Sequence, residues 1–398
     1  MKMPSNTSQR TELRKSIYLV LLLGVVSLFA DMIYEGARSV AGPYLFALGA
    51  GAVAVGFATG FGEFLGYVLR YLSGHLADRT RRYWAFVIFG YTISLSVIPA
   101  LAFVGRWQEA IFLLILERLG KAIRTPARDA LLSYATTRMG RGLGFGLHEA
   151  MDQIGALIGP VIVSAVLYLK GEYRVAFIVL GIPALFALLS LAVARFVFQA
   201  PESLEVSRPE IHSEGLSRSF WFYLLAMSLA IFGFANFPLI GYHLEKKALT
   251  SKELIPILYA LAMGVDAVSA LILGYLYDRL KLKILFLPVV LSIGMMPLLF
   301  LGGSTLFILL GMVLWGIGLS AQESIVRAAV ADFVPKERRG QAFGTFHAAF
   351  GLSFFAGSLT QGLAYELSVK ALVLLSVFSQ TLALVLLWSL TMRSCLTK

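Results

Sequence analysis

The sequence predicts an all-α membrane protein, with twelve transmembrane helices in two pseudo-symmetric six-helix bundles. Three observations predict it. The 398 residues are 58% hydrophobic and only 14% charged, with a mean hydropathy of +0.79; a water-soluble domain needs more polar surface than that. Apolar runs of about 18 residues or more recur along the whole chain, which is the length a helix needs to cross a bilayer. Motifs from the first half return in the second at a nearly constant offset.

In chain order, residues 1–16 form a basic tail. No small-residue cleavage site follows a short apolar core, so Ile17 is expected to open a retained span rather than a signal peptide. Spans are placed at 17–47, 50–74, 83–104, 108–136, 142–169 and 174–198. The second set lies at 219–244, 253–277, 284–301, 305–331, 341–365 and 369–392. Each is a run that a helix can bury in lipid, because a helix satisfies its own backbone groups. The one long polar stretch, 199–218, holds Pro201, Pro209 and several charges, and reads as a cytoplasmic linker between bundles 17–198 and 219–392. Residues 393–398 form the other tail.

The net charge of +11 would suggest nucleic acid in a soluble protein. Here the basic residues gather in short loops. With the N-terminus inside, twenty Lys and Arg residues fall on the inner side and seven on the outer. That bias predicts two cytoplasmic termini, in the inner membrane of a prokaryote, with lipid and not nucleic acid as the surrounding partner. The single cysteine, Cys395, excludes an internal disulfide and a cysteine-rich metal site.

The repeat is specific. Gly74-His75-Leu76-Ala77-Asp78-Arg79 returns as Gly274-Tyr275-Leu276-Tyr277-Asp278-Arg279, and Arg141-Gly142-Leu143-Gly144-Phe145-Gly146 as Arg339-Gly340-Gln341-Ala342-Phe343-Gly344. The offsets are 200 and 198 residues. Six spans per half make the repeats parallel, related by an axis along the membrane normal.

At these residues the whole transmembrane chain resembles the major facilitator superfamily. The loop from Gly74 to Arg82 is similar to the family's motif A, with Arg81 where Gly is usual. Leu113, Arg118 and Ala122 are similar to motif B, with Ala in place of Gly. Gly155-Ala156-Leu157-Ile158-Gly159-Pro160 is similar to motif C of the drug/proton antiporter branch, although Val163 and Ser164 replace its following glycine pair. The segment Gly120–Asp129 suggests a prokaryotic subfamily. The resemblance implies a monomeric secondary transporter that moves a small molecule, with protons as the coupling ion and without a cofactor. Its substrate would lie between the halves near the midplane.

Charge inside a span costs roughly 2.5–3.5 kcal/mol at the helix centre, so it needs a partner or a function. Asp31, Glu35 and Arg38 share one face of span 1, and Glu63 and Arg70 one face of span 2. Span 4 carries Glu117, Arg118, Lys121, Arg124, Arg128 and Asp129, and span 5 carries His148, Glu149 and Asp152. The second half has only Asp266, Glu323, Arg327 and His347 at comparable depth. Proton coupling needs a carboxylate whose proton affinity is raised by burial and lowered by a nearby cation. Asp31 or Glu35 with Arg118 meets that need, and Glu149 and Asp152 are further candidates. Drug/proton antiporters resemble this arrangement. The alternative is a static buried ion pair. His148 reads as a packing or hydrogen-bonding residue rather than a metal ligand. Candidate cavity residues are Tyr34, Arg38, Glu63, Lys121, Arg124, Phe234, Asn236, Asp266, Glu323, Arg327 and His347. Candidate gating residues are Gly74, Asp78, Arg79, Arg82, Asp129, Gly155, Gly159, Pro160, Gly274, Asp278 and Arg279. Asp78 is suited to cap a neighbouring helix, and Arg82 to pair with Asp129.

No Walker A loop, dinucleotide glycine fingerprint, zincin His pair or nucleophile elbow occurs, so neither an ATP-driven pump nor an enzyme is expected. Proton-coupled efflux of amphipathic compounds is the leading expectation. Uptake or exchange of an organic anion or metal chelate is the second, on the basic stripe Lys121, Arg124 and Arg128. A membrane sensor would need a soluble output domain, and no segment here is long enough.

Overall fold

The computed structural model describes residues 6–136, 141–198, 216–334 and 339–396, with side chains described from Ile17 to Thr391 apart from those at 136–143, 199–215, 331 and 335–340. Most of the linker, Arg138, Arg141, Gly142, Arg339, Gly340, Cys395 and both tails therefore lie outside the described side chains. The described elements are helices, with no strand among them. The first half contains α1 (Asn6–Ala47), α2 (Ala52–Thr80), α3 (Tyr83–Ala100), α4 (Trp107–Thr136), α5 (Arg141–Lys170), α6 (Tyr173–Val179) and α7 (Gly181–Val197). The second contains α8 (Arg218–Phe232), α9 (Phe237–Lys246), α10 (Leu254–Leu280), α11 (Phe286–Phe300), α12 (Thr305–Glu323), α13 (Ile325–Asp332), α14 (Arg339–Leu367) and α15 (Val369–Leu396).

By length and composition, ten stretches among the described residues can cross a membrane. One of them, Leu254–Phe300, contains the 3-10 turn Lys281–Leu285 and therefore two of the expected spans. α4 is long enough, at 30 residues, but too highly charged to count by hydropathy alone. Large apolar side chains such as Phe196, Leu271 and Trp388 stand exposed, which only lipid solvates at low cost. The chain is an integral membrane protein with an all-α fold, as the sequence predicts.

Three spans expected to be single helices are broken instead. Span 6 divides at Leu180 into α6 and α7. Pro183 lies four residues after Val179 and has no N–H to give its carbonyl. Span 10 divides at Ser324, whose Oγ donates to Ser320 O at 2.6 Å and competes with the helix ladder. Span 7 opens between Gly233 and Asn236, where Pro238 cannot reach back to the carbonyl of Phe234.

The opening in span 7 frees backbone carbonyls where lipid offers no donor, so side chains supply them. Gln361 Nε2 donates to Phe232 O at 2.6 Å. Gly233 O accepts from Ser376 Oγ and from Gln380 Nε2. Trp315 Nε1 donates to Ala235 O at 2.8 Å. Asn236 closes the gap by accepting from Leu239 N at 3.0 Å, which caps α9. A Trp315→Phe protein keeps the ring but loses the donor. It should be destabilised by about 1–3 kcal/mol, the cost of an unsatisfied buried carbonyl, measured as a lower thermal unfolding midpoint in detergent.

The described residues pack as two units. One comprises those of Met1–Ala37, Val68–Val104 and Phe112–Val206; the other those of Arg38–Tyr67, Gly105–Ile111 and Ser207–Lys398. Small residues set the helix crossings in each. In the first unit α3 meets α4 backbone to backbone, where a Cβ on Gly90 would stand 2.6 Å from Gly120 O. There α1 meets α5 at Gly155 and Gly159, whose added Cβ atoms would strike the carbonyls of Leu28 and Met32. In the second unit Gly42 of α1 lies on Pro238 of α9, and Gly56 and Gly60 of α2 lie on Ser358 and Phe355 of α14.

Candidate functional site

The first unit holds a buried polar array built from α1, α3, α4 and α5. The close crossing at Gly90 and Gly120 brings Arg124, one turn further along α4, against the ring of Tyr91 with its guanidinium carbon 4.0 Å from the ring centre. Arg124 is 1% exposed, the bulkiest fully buried side chain in the described chain. Its Nη2 donates to Tyr34 OH at 3.0 Å, while Nε and Nη1 have no hydrogen-bond partner. The tyrosine hydroxyl stands 2.9 Å from Ser94 Oγ, which in turn donates to Gly90 O at 2.9 Å. The order of donors thus runs from the guanidinium through two hydroxyls to a backbone carbonyl. Lys121 Nζ sits 5.1 Å from the centre of the same Tyr34 ring.

Asp31 lies one turn before Tyr34 on α1 and is half-buried. Lys121, Arg124, Glu35 and Asp152 are the charged groups that act on it. A Cβ on Gly155 would lie 3.2 Å from its own Cβ, so the small residue in α5 is what admits this carboxylate to the crossing. Glu35 and Glu117 are buried, and Glu117 meets Arg118 Nε at 3.1 Å. Arg118, the motif B arginine, therefore contacts the acid beside it on α4.

A second group adjoins the first. Arg128 donates to Asp129 Oδ1 from Nε and Nη2, at 3.0 and 2.8 Å, and to Ser27 Oγ from Nη1 at 3.2 Å. The Ser27 and Tyr91 hydroxyl oxygens are 3.5 Å apart. Asp152 Oδ2 stands 3.4 Å from His148 Nδ1 and 4.0 Å from Arg128 Nη1. Glu149, the other acid on this turn of α5, is exposed and accepts from Gln153 at 3.4 Å.

The remaining candidates are spread out. In the second unit Arg38 Nη2 and Glu63 Oε1 form an ion pair at 2.7 Å. Phe234 is buried and stacks on Trp315 at 6.1 Å. Asn236 caps α9 and donates to Ser358 Oγ at 3.1 Å. Asp266 is buried in α10, whereas Glu323 and Arg327 are exposed beside the break in span 10. His347 lies between the rings of Tyr67 and Phe346, each 5.5 Å away. Among the gating candidates, Gly74 faces Pro126 of α4, and Asp78 accepts from Tyr83 OH at 3.0 Å. Asp129 is held by its neighbour Arg128, and exposed Arg82 occupies the N-cap position of α3. Arg79 and Asp278 are exposed, Arg279 lies over the Tyr275 ring at 4.3 Å, and Gly274 has open space beside it. Pro160 is buried in α5.

Sequence reasoning named the ionisable members of this array and missed Ser27, Tyr91 and Ser94. Neutral polar residues in an apolar run carry no cost signal, so nothing in the pattern singles them out.

Discontinuous membrane helices recur in secondary transporters. Comparison gives the family: the sequence profile of the Major Facilitator Superfamily matches residues 20–358 and 222–394, and the chain belongs to it. It is a family of transporters, not of enzymes, and the chain is accordingly a secondary transporter of a small molecule. An uncharacterized protein of Mycobacterium tuberculosis is 39% identical over 378 residues, covering 93% of this chain and 92% of its own. An uncharacterized MFS-type transporter of Methanocaldococcus jannaschii is 29% identical over 379 residues, covering 91% and 92%. Among solved structures, a mutant of the nucleoside transporter NupG superposes with a TM-score of 0.77 at 13% identity, over 94% of this chain and 99% of that one. At that identity the likeness concerns the fold.

Proposed function

We propose that the chain is a proton-coupled secondary active transporter that exports amphipathic compounds by alternating access. It would act as a monomer in the cytoplasmic membrane of a prokaryote, with both termini and the linker 199–218 inside. The observation that carries the reading is Asp31, a half-buried carboxylate on α1 with Lys121 and Arg124 as cationic neighbours. A carboxylate so placed holds or releases a proton according to how close those cations stand. Movement of α1 against α4 then converts a conformational step into a proton step. Glu35, Arg118 and Asp152 belong to the same machinery, and the exposed charges of the Gly74–Arg82 segment, which the structure holds as the last turns of α2 up to Thr80, and of its repeat at the end of α10 serve the gate.

Proteoliposomes with an imposed pH gradient test this directly. Wild-type protein should accumulate a cationic dye such as ethidium in response to the gradient, and Asp31→Asn should reduce that accumulation at least tenfold. Gradient-driven accumulation that survives Asp31→Asn unchanged removes Asp31 from the coupling. A second reading, exchange of an organic anion, draws on Lys121 and Arg124 meeting at one tyrosine ring. Preference for an anionic dye that disappears in Arg124→Gln would favour it.

A further inference from the structure

The acidic and basic groups around Arg128 do not balance unless a proton is counted. Arg128 is the cation of the group, and Asp129 takes it with two hydrogen bonds. That leaves Asp152, with a side chain 15% exposed, opposite His148, whose side chain is 4% exposed. A carboxylate in so apolar a place is costly. Asp152 Oδ1 and His148 Nε2 have no hydrogen-bond partner, and besides His148 only Ser27 and the more distant Arg128 act on Asp152 as donor and cation.

We infer that His148 and Asp152 form a second proton-holding site, which exchanges protons with Asp31 during the transport cycle; this rests on the proton-coupled reading above. With Nε2 protonated throughout and the shared proton on Nδ1, the pair is imidazolium and carboxylate. With the proton on Oδ2 it is neutral imidazole and carboxylic acid. Both forms are neutral overall, so the proton moves across the contact without changing the buried charge. Complete loss of the proton leaves one negative charge, and Arg128 is placed to meet it. Its Nη1 already stands 4.0 Å from Asp152 Oδ2. Asp129, 44% exposed at its side chain, can be left to solvent when Arg128 turns away. The swing of one guanidinium between two aspartates therefore accompanies proton release.

The groups that face this site come from four helices. α1 brings Asp31 and Ser27, α3 brings Tyr91, α4 brings Arg128 and Asp129, and α5 brings Asp152 itself with exposed Glu149 at its rim. Asp31 and Asp152 act on one another, and the glycine-lined crossing of α1 and α5 holds them in register. Imidazole suits this work as the side chain type that changes charge near neutral pH.

The first test is nitrogen NMR of histidine-labelled full-length protein in micelles at pH 7. The chain has five histidines, and the His148 signal is the one lost in His148→Gln. If that variant does not fold, His75→Gln, His212→Gln, His243→Gln and His347→Gln assign it by elimination. The expected result is a proton on Nδ1 hydrogen-bonded to Asp152, with a signal that changes in Asp152→Asn and in Asp31→Asn. A bare Nδ1 beside an ionised Asp152, or a signal indifferent to both substitutions, overturns the inference. The second test is gradient-driven ethidium accumulation, expected to fall at least tenfold in His148→Gln with a displaced pH profile. If it is unchanged in His148→Gln but lost in Asp31→Asn, only this inference fails. If it is unchanged in both, the proton-coupled reading fails with it. The NMR result decides the matter whether or not the dye is carried.

Discussion

Replacing Arg124 by methionine should destabilise the first unit by about 3–5 kcal/mol, the cost of stripping one partner from a buried charged set. The side chain is 1% exposed, so no solvent can take its place. Three losses coincide in the variant. Tyr34 OH loses the donor at 3.0 Å, Tyr91 loses the cation over its face, and Asp31 loses one of its cationic neighbours. Methionine fills much of the volume, which separates the electrostatic loss from a cavity. Arg124→Lys should recover only part of the stability, because an ammonium neither stacks flat on Tyr91 nor reaches the hydroxyl with the same fork. Thermal unfolding in detergent reads both. An Arg124→Met protein that melts with wild type would mean the cation contributes nothing to the packing of α3 on α4.

The second large effect belongs to Gly42. A Cβ there meets the carbonyl oxygen and carbon of Pro238 and the nitrogen of Tyr242, all of them backbone atoms. A side chain can turn away from an intruder; a helix backbone has to move as a whole. Gly42→Leu should therefore force α1 from α9 and cost at least the roughly 1–3 kcal/mol typical of overpacking. Gly66→Ala is the control, since a Cβ there meets nothing within 4 Å. Equal melting of the two proteins would contradict the close contact. In transport assays Gly42→Leu should be nearly inactive on the proposed alternating-access reading, because that cycle needs α1 and α9 to approach.

The spans were legible because lipid imposes one solution on a long apolar run. α4 is the hard case: its charges from Glu117 to Asp129 suppress the hydropathy signal, and its 30 residues still suffice for a span. The breaks were not read, although span 7 carried the marks of one. Asn236 followed by Pro238 is a helix-start signal, but an unbroken apolar run around it outweighed two residues. The side chain of Asn236, a cavity candidate, caps α9. At the site, the cost of buried charge pointed to Asp31, Lys121, Arg124 and Asp152. Which acid meets which base was beyond reach, because neighbours within the chain, such as Glu117 with Arg118 and Arg128 with Asp129, compete with partners on other helices.

The way the opening in span 7 is sealed has a consequence for biosynthesis. The donors that satisfy the carbonyls of Phe232 and Gly233 lie 129, 143 and 147 residues downstream, and the donor to Ala235 lies 80 downstream. At about 5–20 residues per second, the ribosome needs roughly 7–30 s to deliver them. For that interval the nascent seventh span enters the membrane with carbonyls that no part of the chain yet satisfies. A water-accessible translocon, or a helix closed over Gly233 to Asn236, must carry it until α14 and α15 arrive. The second half thus acquires its final backbone only when its last two helices are in place. A chain stopped before Gln361 should be a target for membrane quality control even though most of its spans are complete.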